Sequence, residues 1–236
     1  MTRMAAALWI LLALDDGIEL IGENGLDRWK KPAGAWLVAG EASLDAADGK
    51  KLAWKEGKGV IVNGKDGRTT NLFSSDEFGD CELHAEFMVS KGSNSGLYFM
   101  GRYEVQILDS FGKEKVNYSD CGGIYHRWDP SRGKGNEGYD GHAPRANASK
   151  PAGEWQSFDV AFRAPRLDAA GKKTSNATFL KVAHNGQVIH ENAEISGPTR
   201  ASAWEDEKAT GPIMLQADHG PVAFRNIRVK PLKAEK

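Results

Sequence analysis

The chain has 236 residues, 27% charged and 40% hydrophobic, with a formal net charge of -1, the proportions of an ordinary globular protein. No dense Lys/Arg cluster alternates with aromatic residues, so no nucleic-acid partner is expected, because phosphate neutralisation needs a concentrated basic face. All-β units of about 200–250 residues are commonly single domains, so residues 15 to 236 are expected to form one.

Arg3 precedes the apolar run "AAALWILLAL" from Ala5 to Leu14, which Asp15 and Asp16 end. About 20 apolar residues are needed to cross a bilayer, so no membrane span is expected. A basic residue followed by a short apolar stretch resembles a secretory signal, although no small-x-small cleavage site precedes Asp15. Residues 1 to 14 are therefore read as an export signal, implying a periplasmic or extracellular protein, with a buried N-terminal segment as the alternative. Cys81 and Cys121 do not make a disulfide framework; export would permit pairing, and independent burial is equally compatible with two thiols.

Period-2 alternation then recurs along the chain. In "CELHAEFMV", Cys81, Leu83, Ala85, Phe87 and Val89 share one face, and Glu82, His84 and Glu86 the other, as in a half-buried strand. "SNSGLYFMGRYEVQILDSFG", residues 93 to 112, reads as two strands joined at Gly101-Arg102. The segment from 127 to 153 has no periodicity and is rich in Gly, Pro and Lys. A structureless segment of that length is usually functional or disordered, and its Trp128, Tyr139 and His142 favour a loop folded over a site. "WQSFDVAFR" turns Phe158, Val160 and Phe162 inward. "ATFLKVAHNGQVIHENAEI" places Asn185-Gly186 between two apolar runs, the signature of a type I′ hairpin. "GPIMLQADHGPVAFRNIRVKPL" predicts a final strand pair about His219-Gly220-Pro221. His84 and His190, on strand faces, are expected at the surface, and Trp29, Trp36 and Trp54 in the core. Many short strands without long amphipathic helices predict an all-β antiparallel sandwich, and a jelly roll suits this length.

The strand from Arg102 to Leu108 carries the first functional signal. Tyr103, Val105 and Ile107 share the core face; Arg102, Glu104 and Gln106 share the other, with same-face neighbours roughly 6.5 Å apart. Asp109 has core parity, so either the strand ends there or a bulge re-aims it. A solvated strand face is the plain reading. Against it stands the density of groups suited to vicinal hydroxyls: Asn94, Tyr98, Arg102, Glu104 and Gln106. The spacing Glu104-x-Gln106-x-x-Asp109 resembles a degenerate form of the E-x-D-x-x-E strand of laminarinase-type glycoside hydrolases. Retaining hydrolysis needs two carboxyls about 5–5.5 Å apart, and the amide at position 106 counts against it.

A second resemblance covers residues 15 to 232. "NSGLYF", "YEVQILDSFG", "CGGIY", "KPAGEWQSFDVAFRAPR", "HNGQVIHENAEISGPT", "GPIMLQADHG" and "FRNIRVKPL" occur in that order and resemble the 3-keto-disaccharide hydrolase family. The resemblance implies a concanavalin A-like jelly roll of two antiparallel sheets. It also implies cleavage of glycosides already oxidised at sugar C3, with a small-molecule or oligosaccharide substrate. A C3 ketone acidifies the C2 proton; its removal expels the C1 aglycone, and water addition completes a net hydrolysis. Such a site needs a base at C2, a donor for the enolate oxygen and an acid for the leaving group. Glu104 and Asp109 are the candidate bases, and His126 and His219 the candidate acid or enolate stabiliser. Asn94, Arg102, Gln106, Tyr125 and Gln216 are the candidate substrate-binding residues. "LQADHGPV" departs from the family, which more often places the Gln directly before Asp-His-Gly. No compact metal motif is present; an oxygen-ligated divalent cation is the one cofactor worth testing. The alternatives are a lectin-like binding module and a conventional retaining glycosidase.

Overall fold

The computed structural model describes residues 17–21, 25–31, 34–64 and 66–232. The apolar run from Ala5 to Leu14 lies outside them. In chain order the strands are β1 (Ile18–Glu19), β2 (Leu37–Leu44), β3 (Leu52–Val62), β4 (Leu72–Phe78), β5 (Cys81–Val89), β6 (Asn94–Phe99), β7 (Tyr103–Leu108) and β8 (Arg127–Trp128). They continue as β9 (Gly138–Tyr139), β10 (Gln156–Arg163), β11 (Arg166–Leu167), β12 (Lys173–Ser175), β13 (Ala177–His184), β14 (Gln187–Ile195), β15 (Gly211–Leu215) and β16 (Val222–Pro231).

Two antiparallel sheets make the jelly-roll sandwich. The larger runs β14-β13-β10-β5-β16-β3-β2, with β1 added beside β16; the smaller runs β4-β15-β6-β7. Alternation decides which residues lie between them. From the larger sheet, Cys81, Leu83, Ala85 and Phe87 of β5 and Phe158, Val160 and Phe162 of β10 are buried; Leu97, Phe99, Tyr103, Val105 and Ile107 answer from the smaller. The two inner faces meet where Phe99 packs tilted at 4.9 Å against Phe162 and edge-on at 5.5 Å to Phe179, the interdigitation expected of packed sheets. Truncating such an aromatic to Ala typically costs about 3–5 kcal/mol.

Local chemistry explains most connections. Asn185 and Gly186 take φ of 50° and 79° and turn β13 into β14, as the dipeptide predicts. The expected strand pair about His219-Gly220-Pro221 is corrected. β15 pairs with β4 and β6 in the smaller sheet, whereas β16 pairs with β3 and β5 in the larger. Residues 216–221 cross between the layers, and Asn63 staples the crossing through the Ala217 and Gly220 carbonyls. The segment 127–153 is ordered by the short β8–β9 pair and by Asp140, which accepts from Ser196 N at 2.7 Å. Cys81 and Cys121 are separately buried free thiols.

Candidate active site

The site grows from the β6–β7 hairpin. Met100 and Gly101 take φ of 57° and 64° in its turn, so Phe99 pairs with Tyr103, Tyr98 with Glu104 and Gly96 with Gln106. On the far side of β6, Met214 of β15 pairs with Tyr98. Beyond β7, residues 122 to 125 form a further antiparallel track: Tyr125 N donates to Glu104 O at 3.1 Å, and Gly122 N to Gln106 O at 2.8 Å. A row of side chains thus crosses the outer face of the smaller sheet: Met214, Tyr98, Glu104, Tyr125. That face is roofed by loops. Thr199 N donates to Arg102 O, Arg200 N to His126 O, and Ala203 N to Gly101 O.

Glu104 is 3% exposed. Its carboxyl lies against Gly96, where a Cβ would come within 2.3 Å of Glu104 Oε1 and 2.7 Å of Tyr98 Cε2. Only a glycine leaves that slot open. Burial pushes the Glu104 carboxyl up to about 8; the Tyr98 hydrogen bond opposes this and the Asp218 charge adds to it. Tyr98 is wholly buried, and its hydroxyl also lies 3.5 Å from the Arg200 carbonyl. Burial, then the adjacent Glu104, drives its pKa far above the ordinary range, so it remains a neutral donor. Tyr125 is raised by burial and by Glu104. Asp218 Oδ1 sits 2.6 Å from His219 Nδ1, each side chain half exposed. A desolvated carboxyl with a neutral phenol beside it can exchange a proton with a weakly acidic carbon.

The residues singled out from sequence divide. Glu104, Tyr125 and Gln216 share the outer face: Gln216 N donates to Gly96 O at 2.9 Å, beside the Glu104 slot. His219 is brought to Asn94, whose N–H donates to the His219 carbonyl at 3.2 Å, and Asn94 Oδ1 is buried without a partner. His126 stacks at 4.5 Å on Tyr125 and meets Tyr118 edge-on at 4.7 Å. Both its ring nitrogens are buried without partners, and burial followed by the Arg200 charge lowers its proton affinity.

Three others bond elsewhere. Arg102 stands in the hairpin turn, not in the strand; its guanidinium donates to Asp206 O, Asp206 Oδ1 and Met100 O. A turn residue leaves the strand's alternation, so its side chain goes to the loop that roofs it. Gln106 is 3% exposed and spends its amide on Ser119 O and Ile107 N, which ties the 117–123 turn to β7. For Asp109 the strand simply ends at Leu108, and its carboxylate accepts from Gly92 N at 2.9 Å across the preceding turn.

Tyr98, one of the groups suited to sugar hydroxyls, and Asp218, which no sequence signal marks, are the neighbours of Glu104. Tyr98 was findable: counting outward from Gly101 puts it opposite Glu104. Asp218 was not, because its approach depends on the crossing between sheets. His190 also departs from expectation. It is 5% exposed, its Nε2 lies 2.8 Å from Gly122 O, and burial lowers it to about 4. Among the described residues, no three His, Cys, Asp or Glu side chains converge as a metal site.

A sandwich with one desolvated carboxyl on an outer sheet face is an arrangement that carbohydrate-active proteins can use, and the family match and a structural relative place the chain among those of the glycosyl hydrolase or lyase kind. Residues 16–230 match the family described as the 3-keto-alpha-glucoside-1,2-lyase-like domain, and the chain belongs to that family. A Parabacteroides distasonis protein provisionally designated a glycosyl hydrolase is 25% identical, with a TM-score of 0.66 over 92% of this chain and 84% of its own. A second protein of that organism, with the same designation, is 19% identical, with a TM-score of 0.58 over 92% of this chain and 99% of its own. Among curated proteins none matches the sequence.

Proposed function

We propose that this protein cleaves 3-keto-glycosides by elimination and hydration. Ionised Glu104 takes the proton from C2, the electron pair forms the C2–C3 enolate, and the C1–O bond breaks as the enolate collapses. The departing alkoxide gains a proton. Water then adds across C1=C2, hydroxide to C1 and proton to C2, so that the sum is hydrolysis to a 3-keto sugar. Tyr98, a neutral donor against Glu104, is placed to hydrogen-bond developing negative charge. The Asp218–His219 pair, on the solvent side, supplies the leaving-group proton.

One observation carries the reading: a single carboxyl is desolvated and set between two phenols on a sheet face, with no second carboxyl on β7 turned to the same face. A retaining glycosidase needs the matched pair; deprotonation next to a ketone needs one strong base. A carboxyl raised to about 8 is a better base once ionised than an ordinary glutamate.

The test is to incubate the protein with 3-keto-trehalose and with nitrophenyl 3-keto-glucoside, with and without chelator, and to follow aglycone release against pH. Release is expected, with a rate that rises with pH through about 8 as Glu104 ionises. Cleavage of unoxidised nitrophenyl glucoside with none of the keto form would overturn the proposal. Sugar binding without any turnover would leave a lectin-like module.

A further inference from the structure

The outer face of the smaller sheet continues past the Tyr98–Glu104 row. One residue pair further along the strands, Pro212 of β15 pairs with Glu77 of β4, and Gly211 nests against Met100, where a Cβ would come within 2.7 Å of the Met100 carbonyl. Here a cleft of about 390 Å³ opens, bounded by Glu77, Arg102, Trp204, Asp206, Lys208 and Thr210. Its near wall at Arg102 lies one same-face step past Glu104 along the β7 strand, about 6.5–7 Å of chain, and its far wall at Glu77 lies across the sheet on β4.

The cleft is built. Trp204 lies on Gly101, whose missing side chain makes the room: a Cβ there would meet Trp204 Cζ3 at 2.5 Å. The indole packs 5.6 Å from Phe73 and 5.0 Å from the Arg102 guanidinium, yet 39% of the residue stays exposed. Arg102 is 4% exposed and uses three of its five N–H groups on Asp206 and Met100, which fixes Asp206 at the rim. The other Asp206 oxygen faces Lys208 at 3.3 Å, and Thr210 donates to Glu77 at 3.1 Å. Two acids and two bases balance, which suits a neutral ligand. A flat, partly exposed indole bordered by carboxylates and an ammonium matches the apolar face and hydroxyl rim of a pyranose.

We propose that this cleft is a saccharide subsite. Given the function proposed above, on which this assignment rests, it holds the sugar joined to the reacting unit and so selects disaccharides over glycosides with small non-sugar aglycones. None of its residues touches the reacting atoms.

The experiment compares two substrates and one binding titration. Trp204→Ala is expected to lower kcat/KM for 3-keto-trehalose about tenfold and that for nitrophenyl 3-keto-glucoside by less than about threefold; Trp204→Phe should restore most of the loss. Separately, isothermal titration should show wild-type protein binding trehalose more tightly than glucose, and Trp204→Ala should erase that preference. Equal loss on both substrates, or a preference for trehalose that survives Trp204→Ala, would overturn the subsite. If neither keto substrate is turned over, the proposed reaction fails, and the titration still decides the subsite alone.

Discussion

In β5 the residues between core positions are Glu82, His84 and Glu86; in β7 they are Glu104 and Gln106. The alternation is the same and the inner faces are equally buried, yet the outer faces meet opposite fates. On β5, His84 and Glu86 are part exposed and find charged partners. His84 Nδ1 lies 2.7 Å from Asp159 Oδ1, and Arg225 Nε donates to Glu86 Oε2 at 2.7 Å. Burial alone would raise Glu86, but Asn226 and Arg225 together hold its carboxyl below the ordinary value. In β7 the loops at 118–126 and 199–206 close over the outer face. With no cation against Glu104, burial wins and the carboxyl rises to about 8. Two glutamates on two strands of one sandwich shift in opposite directions because Glu86 is only partly buried and is held by Asn226 and Arg225, whereas Glu104 is fully desolvated with only the Tyr98 hydrogen bond against it. A salt-bridged surface acid contributes modestly to stability; an unpaired buried one is costly to keep, which marks the β7 face as the functional one.

Substitution at the two glutamates breaks the comparison most sharply. Glu104→Gln is expected to lower kcat/KM on a 3-keto-glucoside by about 10²–10⁴-fold, the usual yield of a positioned base, whereas Glu86→Gln should stay within about twofold. Steady-state kinetics on both variants decide it, and similar losses would erase the distinction between the faces.

Tyr98→Phe has an intermediate effect and a definite sign. The Tyr98 hydrogen bond holds Glu104 down against burial, so its removal should carry the rising limb of the pH–rate profile above the wild-type midpoint and slow turnover about tenfold. A midpoint that moves to lower pH would mean that Tyr98 does not donate to Glu104.

Asp159→Asn tests the solvated face and is the smallest. The bond to Asp159, the largest contribution, raises His84 despite burial. The pair therefore stabilises the fold fully below the unfolded histidine value of about 6.5 and progressively less as pH rises through the higher folded one. Denaturant melts should show a cost of about 0.5–1 kcal/mol at pH 6 that fades by pH 9 and weakens in salt. An equal cost at both pH values would assign the pair to packing.

Much of this was legible in the residues. Alternation in "CELHAEFMV" and "WQSFDVAFR" located the core faces of β5 and β10, and Asn185-Gly186 announced its hairpin. Glu104 stood out because a carboxylate on a strand so committed to burial is expensive. Arg102, Gln106 and Asp109 spend their polar atoms away from Glu104 for one shared reason. Their side chains bond to the 199–210 loop, the 117–123 turn and the β5–β6 turn, and nothing in strand periodicity says which loop will arrive. His190 failed likewise: its outer face is covered by the backbone of Gly122.

The sequence by itself determined the sandwich, the inner faces of its strands and the family, because side-chain period and turn chemistry act over a few residues. The tertiary structure alone decided that the outer face of β7 is dry, that Asp218 reaches Glu104, and that Trp204 stands over Gly101. Those outcomes depend on loops that meet across the fold, and desolvation, which sets the chemistry of a carboxyl, is a property of what surrounds it.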